Sequence, residues 1–415
     1  MLILLVLLGI FWHQKTAVKA GKTPKLPRIE IELLNVTADE LKMAAKTEKF
    51  GNNVGILTDE QGKTTVAQNL EIKLRGNSTF AQDKKPFQLK FAKKLDVFGL
   101  GEAKKWVLRS NSLDASYLRD DTAMTIAEML GEKYTNRGKF VELCLDNDYE
   151  GLYYLLDKIE IGKGRVDLRS EMGVIAELDT LHQEEGGCFE SYLGSCMKLT
   201  EAVVEDEAHE TEAMEAFMAD FNLLEQAAEA GDFASVTEVA DVESLAQYFL
   251  LSEFTNNPDA YASSFYFYKD GAADKIHAGP AWDFDFALGN LDWWWGNSIE
   301  GYFDPNSDQA RRVEVFSENG SNISKLLYLL IDIPEFRTEV ERVWQKRMSG
   351  RGAELLYSMS KTASLIREAA LRDGEKWGRG DFDAEVKYLL KWTSARYEFM
   401  EKTYGKGWIL PVRVV

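Results

Sequence analysis

The stretch from Asn257 to Asn290 constrains the fold of this chain more than any other. It carries two alternating runs of aromatic residues on either side of an Asp-Gly turn, which is typical of a β-hairpin. In a hairpin, the start of the first strand lies beside the end of the second. The carboxylates of Asp259, Asp283 and Asp285 stand at those two ends and are therefore expected to meet at one rim.

Clustered carboxylates at one rim repel each other unless a cation lies between them. Hard oxygen ligands of this kind suit Mg²⁺ or Mn²⁺, together with phosphate oxygens. The spacing also resembles that of protein kinases, in which an acid near the acceptor hydroxyl is followed about five residues later by a metal ligand and, after a hairpin, by a metal-binding Asp. Here Asp259 is followed by Ser264 and then by Asp283. The alternative is that these acids are turn residues that cap a hairpin.

A second turn has groups that suit a phosphate. The segment Thr64 to Leu74 alternates as a strand, and Phe87 to Phe91 reads as another strand. Arg75 precedes a Gly-Asn-Ser-Thr turn whose N–H and hydroxyl groups can donate to phosphate oxygens, and Lys90 on the following strand would add a point charge. The same pattern also fits an ordinary hairpin turn with solvated basic side chains.

The charge balance and the absence of several motifs narrow the function. The chain has 415 residues, enough for one large domain or two lobes, and 68 acidic against 49 basic residues give a net charge of -19. This acidity argues against nucleic-acid binding through a general basic field. The sequence has no nucleophile elbow, no P-loop, no dinucleotide-binding glycine motif and no Cys-x-x-Cys pair of a zinc ribbon.

The chain divides into a leader, a linker, one large domain and a short tail. The apolar run from Leu2 to Trp12 predicts a signal peptide or an uncleaved anchor over residues 1–20, and residues 21–28 form a basic linker. The domain is expected over residues 29–405, with a strand-rich lobe over about 29–180 and a helical lobe over about 200–405, followed by a tail at 406–415. Long amphipathic helices are predicted at Ile323 to Met348, Ala353 to Glu375 and Phe382 to Tyr404.

Two features leave alternatives open. Cys188 and Cys196 flank a plausible hairpin and would form a bridge in an exported protein, or else they are free thiols like Cys144. The loop with Trp293 to Trp295 either packs as a structural loop or stacks on a ligand.

Several short motifs stand in one order along the chain and together resemble the CotH family of spore-coat and secreted protein kinases. The resemblance covers roughly residues 64 to 400. The motifs are Arg75-Gly-Asn-Ser, Lys85-Pro-Phe-Gln-Leu-Lys, Trp106-Val-Leu-Arg-Ser-Asn, Leu118-Arg-Asp, Asp157-Lys-Ile-Glu-Ile-Gly-Lys-Gly-Arg and Trp282-Asp-Phe-Asp-Phe-Ala-Leu-Gly-Asn.

The resemblance implies an α+β fold of the atypical, two-lobed protein-kinase type. It also implies ATP and Mg²⁺ or Mn²⁺ as cofactors, and Ser or Thr of secreted or cell-surface proteins as the phosphate acceptor. The protein would then be extracellular or on the cell surface, in contact with a membrane only through an N-terminal anchor, and would not bind nucleic acid.

The resemblance also assigns roles to individual residues. Asp259 would be the catalytic acid near the acceptor hydroxyl, and Asp283 the principal metal ligand. The expected phosphate-binding residues are Arg75, Asn77, Ser78 and Lys90, with Glu160 orienting Lys90 or a neighbouring residue. The expected further metal ligands are Asp285 and Ser264.

Two residues depart from the family pattern. Ser264 stands where an Asn ligand to a second metal is expected, and Asp120 stands where relatives often have Asn. A Ser hydroxyl is a weaker ligand than a carboxamide or carboxylate, which predicts low or absent activity. Two alternatives to a kinase are considered. One is a catalytically inactive surface protein that binds a polysaccharide or a protein partner, and the other is a metal-dependent phosphohydrolase.

Overall fold

The computed structural model describes residues 26–180, 186–204, 206–257, 259–291, 298–299 and 324–405. The predicted leader at 1–20, most of the linker, the loop with Trp293 to Trp295 and the tail at 406–415 lie outside the described residues.

The first half of the chain forms a closed β-barrel. Its strands are β1 (Arg28–Glu32), β2 (Phe50–Thr58), β3 (Thr64–Leu74), β4 (Phe87–Asp96), β5 (Glu102–Arg109), β6 (Gly138–Leu145) and β7 (Asp148–Asp157). They are arranged in the order β1-β2-β3-β4-β5-β7-β6. The barrel closes where β1 pairs in parallel with β6, while the other neighbouring strands are antiparallel.

Alternation along the strands fills the barrel. On β4 the side chains of Phe87, Leu89 and Phe91 are buried inside, whereas Lys90 between them is exposed. Ile29 and Leu143, from the two strands that close the barrel, belong to the same interior core.

A second, smaller sheet lies next to the helices. It consists of β8 (Gly173–Leu178), β9 (Cys188–Glu190), β10 (Cys196–Ala202), β11 (Phe265–Asp270) and β12 (His277–Ala278), in the order β12-β11-β8-β10-β9. The predicted hairpin is confirmed as β11 paired antiparallel with β12, but β12 spans only two residues. The Asp283 and Asp285 segment follows β12 as a turn rather than a strand.

Helices dominate the second half. The described helices are α1 (Ala38–Met43), α2 (Arg119–Leu130), α3 (Glu207–Ala230), α4 (Phe233–Val239), α5 (Val242–Thr255), α6 (Leu326–Asp332), α7 (Pro334–Arg347), α8 (Gly352–Trp377) and α9 (Phe382–Tyr404). The helix predicted from Ile323 to Met348 is wrong as one element. Pro334 lacks an N–H and begins a new helix, so the segment forms α6 and α7.

The mixed class predicted from the sequence is confirmed, with a strand-rich first half and a helical C-terminal half. Closure of the first sheet into a barrel is an addition that the sequence did not predict. A large apolar core joins the outer face of the barrel, the second sheet and the helices.

Cys188 and Cys196 are joined by a disulfide, with a Cα–Cα distance of 5.3 Å, whereas Cys144 is buried and free. None of the described helices combines the length and apolar character that a membrane crossing requires.

Candidate active site

The ends of several strands meet at a cavity of about 400 Å³, which we call the cleft. It is lined by the turn after β3, the end of β5, the end of β8 and the residues before β11 and after β12. The cleft gathers these residues predicted from the sequence: Arg75, Asn77, Ser78, Asp259, Ser264, Asp283 and Asp285.

The turn after β3 is held in a tight conformation. Gly76 has φ of +84°, and a Cβ at this position would lie 2.4 Å from the Thr79 hydroxyl. Only glycine fits here without strain. The N–H of Arg75 donates to the Pro86 carbonyl at 3.3 Å, which closes the turn and keeps it beside the cleft.

The segment after β12 is anchored by buried polar side chains. The Ala281 N–H donates to Glu132 at 2.7 Å, and Asn136 donates to the Ala281 carbonyl at 2.6 Å. The Phe284 N–H donates to Asp120 Oδ1 at 3.0 Å. These bonds fix the backbone on both sides of Asp283, whose own φ is +67°.

Arg109, the last residue of β5, is the centre of the charge network. Its Nε lies 2.8 Å from Asp120 Oδ2, and its Nη2 contacts Asp283 and lies 3.6 Å from Asp285. The side chain is buried, and its guanidinium lies 5.7 Å from the centre of the Trp282 ring. Burial opposes ionisation of Asp283, but the Arg109 guanidinium outweighs it and lowers the pKa of this carboxyl.

Arg75 lies on the same tryptophan. Its guanidinium is 5.3 Å from the Trp282 ring centre. Burial and the neighbouring Arg109 lower the pKa of Arg75, while Asp283 opposes that shift. Two guanidinium groups that repel each other beside an open cavity make this wall suited to an anion.

Two further acidic side chains, Glu177 and Asp179, line the cleft at the end of β8. Asp179 accepts from Ser263 Oγ and from Lys198 Nζ, both at 3.0 Å. Burial and the charge of Asp179 raise the pKa of Glu177 to about 7, against a hydrogen bond from Tyr266 that lowers it. Sequence reasoning did not identify Glu177 or Asp179 as residues of the cleft.

Asp259 begins the turn that leads into β11. Its backbone carbonyl accepts from the N–H groups of Ala262 at 2.9 Å and Ser263 at 3.0 Å. This turn places Ser264 beside the segment after β12, where its hydroxyl lies 3.5 Å from Asp283 Oδ2.

The structure does not bring the remaining two predicted residues into the cleft. Lys90 is exposed on the outer face of β4, opposite Glu71 and Lys105, because the alternation of β4 turns its neighbours inward. Glu160 pairs with Lys105 at 3.6 Å and with Arg165 at 2.7 Å. Glu160 therefore contacts the cross-strand neighbour of Lys90, beside a separate cavity of about 480 Å³.

Arg109 is the main residue that sequence reasoning missed as a site residue. It belongs to the Trp106-Val-Leu-Arg-Ser-Asn motif, but its role was not predicted. The available signal was a charge directly after the apolar run Trp106-Val-Leu at the end of β5, because a buried charge requires partners of opposite charge. Asp120 is one of those partners.

The described residues contain no group of three or more His, Cys, Asp or Glu side chains arranged as a metal site. The donors of the cleft nevertheless suit a cation that prefers oxygen. Asp283 Oδ2 and Ser264 Oγ are 3.5 Å apart. Two oxygens on one octahedral Mg²⁺ are about 3 Å apart, because each bond is about 2.1 Å long. Asp283, Ser264 and Asp285 would therefore hold such an ion only together with phosphate or water oxygens.

Comparison with known families gives a match over most of the chain. The model of the CotH kinase protein family matches residues 72–400, a span that contains all the cleft residues discussed above. No curated protein matches the chain significantly.

Proposed function

Because the chain belongs to the CotH kinase protein family, we propose that it is an exported protein kinase that depends on ATP and on Mg²⁺ or Mn²⁺. It would phosphorylate Ser or Thr residues of extracytoplasmic or cell-surface proteins, with an atypical kinase-like arrangement of two lobes. The observation that carries this proposal is the cleft, where a guanidinium wall faces carboxylates that stand far apart in the sequence.

The turn after β3 is suited to the triphosphate. Arg75 supplies positive charge, and Asn77 and Ser78 supply polar groups at the edge of the cavity. Arginine forms strong charge-assisted hydrogen bonds with phosphate oxygens. An anion between Arg75 and Arg109 would also relieve the repulsion between these two guanidinium groups.

The carboxylates after β12 are suited to the metal. Asp283, with Ser264 and Asp285, would hold a divalent cation that neutralises charge on the transferred phosphoryl group. Asp283 is the principal ligand in this proposal, because its side chain is 34% exposed while that of Asp285 is only 9% exposed.

Asp259 is suited to the acceptor hydroxyl. During transfer the hydroxyl oxygen would form a bond to the γ-phosphorus, and the bond from that phosphorus to the bridging oxygen of ADP would break. The carboxylate of Asp259 would orient the hydroxyl and take its proton. Most of the rate acceleration would come from positioning and charge neutralisation.

The disulfide between Cys188 and Cys196 supports the proposed export, because disulfides persist mainly in oxidising compartments. A protein substrate outside the cytoplasm is consistent with this chemistry.

The direct test uses purified protein with γ-labelled ATP and Mn²⁺ or Mg²⁺, with and without EDTA. We expect metal-dependent labelling of the protein itself or of an added Ser- and Thr-containing protein. Released phosphate without labelled protein would instead indicate a phosphohydrolase.

A catalytically inactive binding protein is the second candidate. It is favoured by the Ser at position 264 and by the absence of a preformed three-residue metal group among the described residues. In that case ATP would not raise the melting temperature more with Mg²⁺ or Mn²⁺ than with EDTA. An active kinase would show a much larger shift with metal.

A further inference from the structure

The position of Arg109 leads to an inference about how the cleft takes up a metal ion. We propose that Arg109 sets the divalent-cation affinity of the cleft by competing with the cation for Asp283. This inference rests on the proposed function, because it concerns the metal ligand assigned there.

Arg109 contacts its carboxylates through different nitrogen atoms. Its Nε is paired with Asp120 at 2.8 Å, whereas Nη2 serves both Asp283 and Asp285. Asp120 is itself fixed, because its other oxygen accepts from the Phe284 N–H at 3.0 Å. A cation that binds Asp283 must therefore replace the hydrogen bond from Arg109 Nη2, while the ion pair of Nε with Asp120 can stay.

The surroundings of Arg109 favour this exchange. Its guanidinium carbon lies 5.7 Å from the centre of the Trp282 ring, which offers a surface without a preferred hydrogen-bond direction. The Asp283 side chain is partly exposed to the cleft, whereas the Asp120 side chain is buried. An ion that enters from the cleft therefore reaches Asp283 first and meets the Nη2 end of Arg109.

The charges around Asp283 explain why Arg109 and a divalent cation compete closely for its carboxylate. Arg109 contacts three carboxylates, and Arg75 is the second cation that acts on Asp283. Three ionised carboxylates outnumber these two guanidinium groups. A divalent cation is attracted by the excess negative charge but repelled by Arg109. An opposite charge within about 4–6 Å changes the proton affinity of a carboxylate by about 10- to 1,000-fold, and the effect on a metal ion has the same origin.

The test measures Mn²⁺ binding to the full chain without nucleotide, using the electron paramagnetic resonance signal of free Mn²⁺. Arg109→Gln is expected to bind Mn²⁺ at least about tenfold more tightly than the parent. Arg109→Lys should fall between the two, because an ammonium group keeps the charge but is a point charge that cannot pair as a fork. An unchanged or weaker affinity in Arg109→Gln would overturn the proposal.

Arg165→Gln is the matched control. Arg165 is also buried on a tryptophan and paired with two carboxylates, but it lies outside the cleft. Its replacement should leave Mn²⁺ affinity unchanged. A similar gain in both variants would mean that any lost arginine increases cation binding, and this would also overturn the proposal.

Thermal unfolding provides a second measurement if Arg109→Gln is poorly stable. Removing the guanidinium leaves buried carboxylates unpaired, so the variant should melt below the parent in EDTA. Mn²⁺ should then raise its melting temperature more than that of the parent, and an equal rise would contradict the proposal. No Mn²⁺ binding by any variant would also contradict it.

The result can be separated from that of the kinase assay. Phosphate transfer by the parent together with unchanged affinity in Arg109→Gln would reject this inference alone. The expected affinity change without any transfer would reject the kinase proposal alone.

Discussion

Arg109 and Arg165 have similar surroundings, but the ratio of acidic to basic side chains around them differs. Each guanidinium lies over a tryptophan ring, Arg109 at 5.7 Å from Trp282 and Arg165 at 4.9 Å from Trp106. Each side chain is almost fully buried, and each contacts more than one carboxylate. The two clusters differ in how many basic side chains each carboxylate contacts.

Around Arg165 every acid has a second cation. Asp157 contacts both Arg165 and Arg137, and Glu160 contacts both Arg165 and Lys105. The charges of this cluster neutralise each other without an added ion. The cluster also joins the end of β7 to the following loop. We interpret it as structural.

Around Arg109, three carboxylates contact the same guanidinium group. The side chain of one of them, Asp283, is also open to the cleft. A buried arginine among carboxylates therefore does not by itself indicate function. The distinguishing feature is the uncompensated negative charge, because the Arg165 cluster also borders a cavity but its charges are balanced.

The strongest test of this comparison replaces one carboxylate in each cluster. Asp283→Ala should lose metal-dependent ATP binding and reduce transfer by about 10³-fold or more, because the triphosphate would face fewer neutralising charges. Glu160→Ala should retain transfer, because Glu160 lies outside the cleft and its partners Arg165 and Lys105 keep their contacts with Asp157 and Glu201. Binding is measured by thermal shift with ATP and Mn²⁺, and transfer by labelled ATP. Equal losses in the two variants would contradict the distinction.

A second test separates two acids within the cleft. Asp259→Ala should keep most nucleotide binding, because this residue is assigned to the acceptor hydroxyl and not to the phosphates. Its turnover should fall by about 10²-fold or more if the carboxylate takes the proton. The readout is kcat together with the nucleotide dissociation constant. Lys90→Ala is the control on the exposed face of β4, and it should change neither quantity.

Much of this site was predicted from the sequence because its residues lie in short local motifs. Alternation predicted β3 from Thr64 to Leu74, and amphipathic spacing predicted α9 from Phe382 to Tyr404. The same motifs identified most residues that the structure gathers in the cleft.

The missed features depend on contacts between distant segments. Ile29 pairs with Leu143 to close the barrel, and no local periodicity encodes this pairing. Arg109 meets Asp283 across 174 sequence positions, so its role follows only from the tertiary structure. Lys90 is different, because the buried neighbours Leu89 and Phe91 already indicate that its side chain faces away from the barrel interior.

Glu132 extends the comparison to a buried carboxylate that is hydrogen bonded to backbone. Its Oε1 accepts from the Ala281 N–H at 2.7 Å, and burial raises its pKa from 4.5 to about 7. The folded state therefore keeps a proton that the unfolded chain releases. Stability contributed by this group is present below pH 4.5 and is lost as the pH rises to about 7.

Glu132→Gln should remove this pH dependence, because the amide oxygen still accepts from Ala281 and carries no charge. We expect the variant to be more stable than the parent by about 1–3 kcal/mol at pH 8 and nearly equal near pH 4.5, as measured by urea unfolding. Glu160→Gln should have the opposite sign at pH 8, since it loses the Arg165 and Lys105 pairs. A destabilised Glu132→Gln at pH 8 would show that its charged form is stabilised after all.

The smallest expected effect comes from adding a ligand to the cleft. Ser264 has φ of +57°, a left-handed conformation that Asn adopts more readily than Ser. Its hydroxyl already lies 3.5 Å from Asp283 Oδ2, so an Asn side chain would begin at the correct place to present its carboxamide oxygen. Ser264→Asn should therefore fold without added strain and raise metal-dependent transfer by about threefold to tenfold, because a carboxamide is a better ligand than a hydroxyl.

Ser263→Asn, at the neighbouring residue bonded to Asp179, is the control and should not raise transfer. If Ser264→Asn binds Mn²⁺ and transfers phosphate no better than the parent, position 264 is not a metal ligand, and the other cleft carboxylates together with phosphate and water must supply the oxygens that hold the ion.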